Sequence, residues 1–355
     1  MYFNAILHIM FNDTAQLLTV VNVKTHNDSG QLGSYCEIVC PLISRIQYAN
    51  GKTLTAQTKT LFKQGDKVSI TAFYAPVEDE LSDEYPLITI FEGFVLDFFE
   101  GNPITIKCVD WIYNLNFCKT INIPLKPGNP GFTGKIKDLI DIVLKDTGIT
   151  QLPGTIDFKL EDFTLTNCTP AAVFEHIKKE VGLNISLIGN KLYCNVASNT
   201  LNTVRLNTSV NVTESNISKN QTTFQRIKVK AWFLHEDHTK DSFEVGDADG
   251  QNREVFFYKI PAGDMIIIDT AAGPQQIPRA YNDLANEALK KFRLNLFNGT
   301  VKTKLYPFIE IFDTVIYNDV RYPDRNGVYV CSGRDGEFGM SGFNWVYKLA
   351  WLRDE

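Results

Sequence analysis

At 355 residues, 44% of them hydrophobic and 21% charged, the chain has the composition of a globular protein with room for two or three cores. A formal net charge of −6 excludes the broad basic field that holds nucleic acid by counterion release, so a dedicated DNA or RNA binder is not expected. The seven cysteines are odd in number and form no C-x-x-C, which argues against a disulfide framework or a four-cysteine zinc site and for buried thiols.

The N-terminal MYFNAILHIMFNDT is apolar, but no Lys or Arg precedes the run and polar residues interrupt it. It reads as a first strand, Tyr2 to Met10, rather than a signal peptide or membrane span, and assembly in a cytoplasm is expected. Further strands are predicted at Leu17 to Lys24, Tyr35 to Val39, Thr53 to Phe62, Lys67 to Tyr74, Leu87 to Phe98 and Ile104 to Val109. Asn12-Asp13, Asp28-Ser29-Gly30, Asn50-Gly51 and Gln64-Gly65-Asp66 supply the turns. The centre of this region is the hairpin Pro86 to Trp111. Ile104 and Ile106 alternate with Thr105 and Lys107 in its second arm. In its first arm the alternation fails at Val95-Leu96, and Gly93 predicts a bend or a close backbone approach. The acidic Glu78 to Glu84 reads as a solvated loop. Residues 1–112 are thus expected to form an all-β domain.

Residues 113–205 change character. Pro124, Pro127, Gly128, Pro130, Gly131 and Gly134 form a linker-like run. A helix is predicted from Lys135 to Asp146, with Ile136, Leu139, Ile140, Val143 and Leu144 on one face and Gly148 as its cap. A second follows Thr169-Pro170, carries Val173, Phe174, Ile177 and Val181 as its apolar stripe, and stops at Gly182. Two strands flank Gly189-Asn190. This is a small α+β module. The Asn-, Ser- and Thr-rich segment 198–223 has little to bury and reads as a connector; its sequons at Asn207, Asn211, Asn216 and Asn220 are taken as compositional.

The remainder of 206–355 returns to β. Strands are predicted at Phe224 to Leu234, Val255 to Ile260, Met265 to Asp269, Gly299 to Leu305, Thr314 to Tyr317, Val328 to Ser332 and Phe343 to Trp351. One helix, Ile277 to Leu294, interrupts them, and Asn326-Gly327 signals a hairpin. The two β regions are candidates for distant copies of one another, which the residues alone do not establish.

No constellation of reactive groups stands out. His235 and His238 are three apart in a polar turn, whereas the zincin pattern needs four on one helical face. Asp247-Ala248-Asp249-Gly250 opens like a calcium loop but has Gly at the fourth position and Tyr258 at the twelfth, so it reads as a hairpin turn. The acidic residues from Glu78 to Glu84 are neighbours in sequence, and a glycosidase needs carboxylates that face each other across a cleft. Gly336, Gly339 and Gly342 around Phe338, Met340 and Phe343 suit either a mobile tip or a hairpin that inserts into a neighbour. No catalytic, cofactor-binding or metal-binding residue is assigned.

Four stretches in this order resemble the baseplate hub family, the late control protein D class of contractile-tail phages and related injection systems. They are FKQGDKVSITAFY (Phe62 to Tyr74), FEGFVLDF with ITIKCVDWIYNL (Phe91 to Leu115), FTLTNCTPAAVFEHIKKEVGLNISLIGNKLYCNV (Phe163 to Val196), and Ile277 to Asp319. The last departs from the family where Ile311-Phe312-Asp313 replaces a Pro-Gly-Asp turn, which leaves the geometry of that turn open. The resemblance implies a β-rich α+β multidomain protein. Two tail-tube-like β-barrel domains, 1–112 and 206–355 with its connector, would flank the peripheral α+β module 113–205. It implies a structural hub without enzymatic activity, located in the virion tail or baseplate. The hub would be a homotrimer forming a pseudo-sixfold ring, joining the tail tube or distal tail protein to the spike, and DNA would pass through without specific binding. The competing readings are a tail-associated enzyme that cleaves cell-wall glycan and a receptor-binding adhesion module.

Overall fold

The computed structural model describes residues 3–76, 87–123, 131–153, 155, 159–181, 183–195, 202–219, 226–234, 239–258, 264–270, 273–293, 297–339 and 342–352. The acidic Glu78 to Glu84 stretch, the His235 to His238 turn, Gly182, Met340 and most of the Pro/Gly run fall outside them.

The first 109 residues supply nine strands: β1 (Phe3–Phe11), β2 (Ala15–Leu17), β3 (Asn22–Asp28), β4 (Tyr35–Cys40), β5 (Ile43–Tyr48), β6 (Thr53–Gln57), β7 (Lys67–Pro76), β8 (Ile88–Phe99) and β9 (Ile104–Val109), with the single-turn helix α1 (Thr58–Leu61) after β6. β1 pairs with β2 and β7, β7 with β8, β8 with β9, β9 with β4, and β4 with β3. Between β2 and β3 the chain bends without leaving its partner, because Leu18 N–H donates to Arg45 O and Val21 N–H to Val39 O, both at 2.8 Å. The pairing therefore returns to its start and closes a small barrel. The predicted strand Leu17 to Lys24 straddles that bend, and β5 was hidden behind Pro41 in the sequence pattern.

The module follows: α2 (Ile112–Phe117), β10 (Ile121–Ile123), β11 (Phe132–Lys135), α3 (Ile136–Leu144), β12 (Thr150–Gln151), β13 (Lys159–Phe163), β14 (Leu165–Cys168), α4 (Pro170–Val181), β15 (Asn184–Ile188) and β16 (Lys191–Asn195). Its helices bury the predicted stripes. Past α3 two residues are left-handed, Asp146 (φ 65°) just after the helix and the expected Gly148 (φ 75°) two positions on.

The segment read as a connector is not one. β17 (Thr203–Asn207), β18 (Glu214–Ser215) and β19 (Ser218–Lys219) lie in it, and Leu206 and Ile217 are buried. Few apolar residues suffice here because backbone ladders, not side chains, hold the segment. Beyond it come β20 (Ile227–Leu234), β21 (Lys240–Gly246), β22 (Gln251–Tyr258), β23 (Met265–Thr270), β24 (Gly273–Pro278), α5 (Arg279–Arg293), β25 (Phe297–Thr303), β26 (Thr314–Asn318), β27 (Gly327–Gly339) and β28 (Gly342–Leu352). β26, β27, β28 and β25 pair in that order. β17 lies parallel on β26, and β18 and β19 lie antiparallel on β25, so 203–219 spans the gap between the two outer strands. Asn326 is not the turn residue of a two-residue hairpin: a loop with a 3-10 turn at Pro323–Arg325 joins β26 to β27.

Burial sorts the chain into two large cores. One combines β1–β9 with β17–β19 and β25–β28. The other combines the module with β20–β24 and α5, whose Tyr281 stacks on Phe233 with centroids 3.7 Å apart. The helix of the last third therefore packs with the module rather than with the strands that follow it. Asp247 to Gly250 crosses the end of β20, carrying the chain from β21 to β22 on either side of it. The Asp247 carboxylate accepts from Ile227 N–H at 3.1 Å and Asp249 pairs with Arg226, so the calcium-like run is a turn.

The two barrels repeat each other over five strands and the turn that enters them, and differ where β1 lies antiparallel on β7 but β17 lies parallel on β26. Gly65 (φ 87°) and Phe312 (φ 69°) are both left-handed, and each precedes an aspartate, Asp66 or Asp313. Asp66 accepts from Lys63 N–H at 2.8 Å and Asp313 from Glu310 N–H at 2.9 Å. Asn12 and Asn202 each donate a side-chain N–H to that aspartate. The next strands pair in the same register, Lys67 with Phe94 and Thr314 with Val330, followed by a bulge at Leu96 or Ser332. β7, β8, β9, β4 and β3 thus correspond to β26, β27, β28, β25 and β18–β19. The left-handed Phe312, where the resemblance leads one to expect glycine, is held by packing: its ring stacks on Tyr193 of the module at 4.3 Å.

Candidate functional site

The feature that distinguishes the molecule is the joint between its barrels. The bulge at Ser332 divides β27: its first half pairs with β26, and its second half, Gly333 to Phe338, pairs antiparallel with Asp28 to Val23 of β3. One 16-stranded sheet consequently runs through both barrels. The glycine-rich hairpin thus docks on the same chain. Gly336 is required where it does so, because a Cβ there would lie 2.5 Å from both Thr25 Oγ1 and the Trp345 ring.

One face of the joint is a ladder of polar and charged pairs. Lys24 pairs with Glu337 at 3.6 Å, His26 with Asp335, and Lys348 with Asp28 at 2.9 Å, and the row continues inside the first barrel with Lys107 and Glu37 at 3.7 Å. Burial pushes the Asp28 carboxyl up, but the Lys348 ammonium and Gly30 N–H outweigh it and hold the pKa below its ordinary value; the same contact raises Lys348. These pairs are half-exposed and fix register more than they stabilise.

The other face carries Arg334, 7% exposed. Its guanidinium reaches Glu310 at 3.0 Å and lies over the rings of Phe308 and Trp345, 4.5 and 5.2 Å from their centroids. Beside it a cleft of about 520 Å³ opens where both barrels and the module meet, lined by Ser34, Asp110, Lys191, Asn202, Glu310 and Arg334 among others. Asp110, just past the end of β9, is buried and accepts from Ser34 N–H and Oγ–H and from Ile112 N–H at 2.5, 2.8 and 2.9 Å. It ties β9, the β3–β4 turn and α2 together. That turn plugs the module: Leu32 sits in the module's core, Leu187 N–H donates to Leu32 O at 2.8 Å, and Lys178 donates to Gly30 O at 2.9 Å.

Burial raises the Asp110 pKa to about 6, against its hydrogen bonds and with a small push from Glu310. A carboxyl whose pKa is higher folded than unfolded favours folding below the unfolded value near 4, and that contribution is lost as pH rises through about 6. Relative to Asp110→Asn, the wild type is expected to lose on the order of 2 kcal/mol between pH 4 and pH 7, read as the difference between two urea-denaturation series. An unchanged difference would remove Asp110 as the titrating group.

In the cleft Asp110 is fully engaged, Glu310 is paired, and Glu92 meets Lys67 at 3.3 Å. Among the described residues no cluster of three His, Cys, Asp or Glu side chains is placed to hold a metal. No described helix is long and apolar enough to cross a membrane. Five cysteines are buried, Cys168 is partly buried and Cys118 is exposed. Sequence reasoning missed Arg334, whose signal was a lone cation inside a β-rich, glycine-spaced strand.

No protein-family model and no curated protein sequence matches the chain. Solved structures do. A tail protein from Neisseria meningitidis MC58 matches with TM-score 0.63 and 12% identity, over 98% of this chain and 96% of that one. A 43 kDa tail protein of prophage MuSo2 from Shewanella oneidensis matches with TM-score 0.58 and 15% identity, over 97% of each. An E. coli protein, described as a component of the type VI secretion system with similarity to the T4 tail proteins gp27 and gp5, matches with TM-score 0.55 and 6% identity, over 98% of this chain and 77% of that one. The chain has the fold of phage tail proteins and of a secretion-system component built like them. The resemblance to the baseplate hub family read from four stretches holds at the level of the fold.

Proposed function

We propose that the chain is a structural hub of a phage tail or related injection system, without enzymatic activity of its own. Three copies form a ring of six barrels, with residues 1–112 and the strands of 203–219 and 297–352 as tube-like domains, and the module together with 227–293 at the periphery. The ring joins the tail tube or distal tail protein to the spike and encloses a channel through which DNA passes unbound. It resides in the virion tail and is assembled in the host cytoplasm.

The observation that carries this reading is the edge-to-edge joining of two matching barrels in one sheet. A chain that already contains two equivalent units can match a sixfold tube with three copies. The mildly acidic chain suits a channel that does not retain nucleic acid. Light scattering and electron microscopy of concentrated protein test it. A ring of three 40.1 kDa chains, about 120 kDa, with a central hole is expected. A particle that stays at one chain mass at every concentration counts against the ring. Clearing of bacterial cell walls by the purified chain in a zymogram would favour the enzymatic reading instead.

A further inference from the structure

We infer that the contact between copies repeats the contact within a copy: residues 97–99 of β8 pair antiparallel with 218–219 of β19 in the next copy. The inference rests on the ring proposed above. It follows from the correspondence between the barrels. Within the chain, the half of β27 beyond its bulge pairs with β3. Beyond its own bulge, β8 offers the equivalent half, and among the described residues no strand pairs with it on the side away from β9. The equivalent of β3 in the second barrel is β18–β19, which pairs with β25 and, among the described residues, with nothing on its other side. A chain therefore carries one used and one unused copy of the same two edges, and the unused ones face the right partners on a second copy.

The register is specified. Within the chain Arg334 faces Asn27 and Asp335 faces His26. Shared ladder positions make Phe98 and Phe99 the equivalents of Arg334 and Asp335, and Lys219 and Ser218 the equivalents of Asn27 and His26. Phe98 of one copy then faces Lys219 of the next, and Phe99 faces Ser218. Two details of the open edge agree. Ser29 N–H donates to Ser332 O at 2.9 Å, so alternation makes Arg334 and Asn27 the next hydrogen-bonded pair. The corresponding amide, Phe98 N–H, is held by the carboxylate of its own neighbour Asp97 at 2.7 Å, a local bond that a partner strand can replace. Phe99 is 49% exposed at the same edge, apolar surface that a second copy would cover. The β8–β9 hairpin is shorter than β27–β28, so the joint between copies is shorter than the joint within one.

Cysteine pairing tests the register, because directly opposed residues bring Cβ atoms to about 5 Å. In a Cys118→Ser background, Phe99→Cys with Ser218→Cys is expected to cross-link under mild oxidation into covalent rings on a non-reducing gel. Either single variant should not, nor should Phe99→Cys with Glu214→Cys, four residues out of register. Phe98→Pro removes the outward amide at a position that donates nothing to β9 and should raise the assembly concentration at least tenfold without shifting Tm. Rings of the expected mass whose Phe99→Cys/Ser218→Cys thiols stay reduced, or that cross-link equally in the shifted pair, overturn the pairing and leave the ring standing. A chain that never assembles removes both.

Discussion

Replacing Gly93 with alanine is expected to destabilise the protein by about 3 kcal/mol or more, the largest effect of any single methyl group added to the first barrel. A Cβ at this position would stand 2.1 Å from Val109 O and 2.7 Å from Asp110 Cα. Both are backbone atoms, and neither can rotate aside. Relief requires β8 and β9 to separate where they leave the barrel, which also disturbs the Asp110 hydrogen bonds that tie the barrel to the module. Urea denaturation with Gly339→Ala as the control measures it, since a Cβ at Gly339 meets nothing within 4 Å and should change stability by less than about 0.5 kcal/mol. A similar small loss for both variants would mean that β8 and β9 adjust freely at this crossing.

Gly93 also illustrates what the sequence could show. The residue pattern offered a bend or a close approach, and the structure has the close approach at Gly93 while the bends fall on either side. β8 slips register against β7 between Phe91 and Thr89, and against β9 between Val95 and Asp97. The second slip is why Val95 and Leu96 break the alternation: Leu96 is the extra residue of a bulge. Helices α3, α4 and α5 were legible because their stripes have the helical period and each buries a single face. The strands of 203–219 were not, because β17–β19 are short and owe their place to ladders with residues about 80 to 110 positions away. The association of α5 with the module was equally hidden, since a stripe records that a face is buried but not against what. The joint was the least legible feature. Gly336 suited either a mobile tip or an inserting hairpin and Gly333 carried no signal, while their role is to let β27 approach β3 and Trp345 closely.

Arg334 holds the buried side of that joint, and Arg334→Ala is expected to cost about 3 to 4 kcal/mol. The guanidinium is enclosed by Phe308 and Trp345 and paired with Glu310, whose side chain is 19% exposed. Truncation removes the packing of a planar cation between rings and leaves Glu310 beside the carboxylates of Asp110 and Asp313 without its counter-charge. Lysine cannot replace it, because it supplies neither the planar stack nor the fork, so Arg334→Lys should recover less than half of the loss. A double-mutant cycle with Glu310→Gln separates packing from charge, and a coupling of about 1 to 2 kcal/mol is expected. Salt distinguishes the two faces of the joint. The exposed Lys24–Glu337 pair should contribute less than about 1 kcal/mol and fade in 1 M NaCl, whereas most of the Arg334 effect should persist because the guanidinium is buried and packed against two rings. An Arg334→Ala loss that disappears in salt would place the stabilising interaction on the charged outer ladder instead. Because Arg334 corresponds to Phe98 in the first barrel, the cation belongs to the joint within a chain and the phenyl ring to the edge left open. The two edges share a register but not a chemistry, and that difference is expected to disfavour pairing of β3 with the β8 edge.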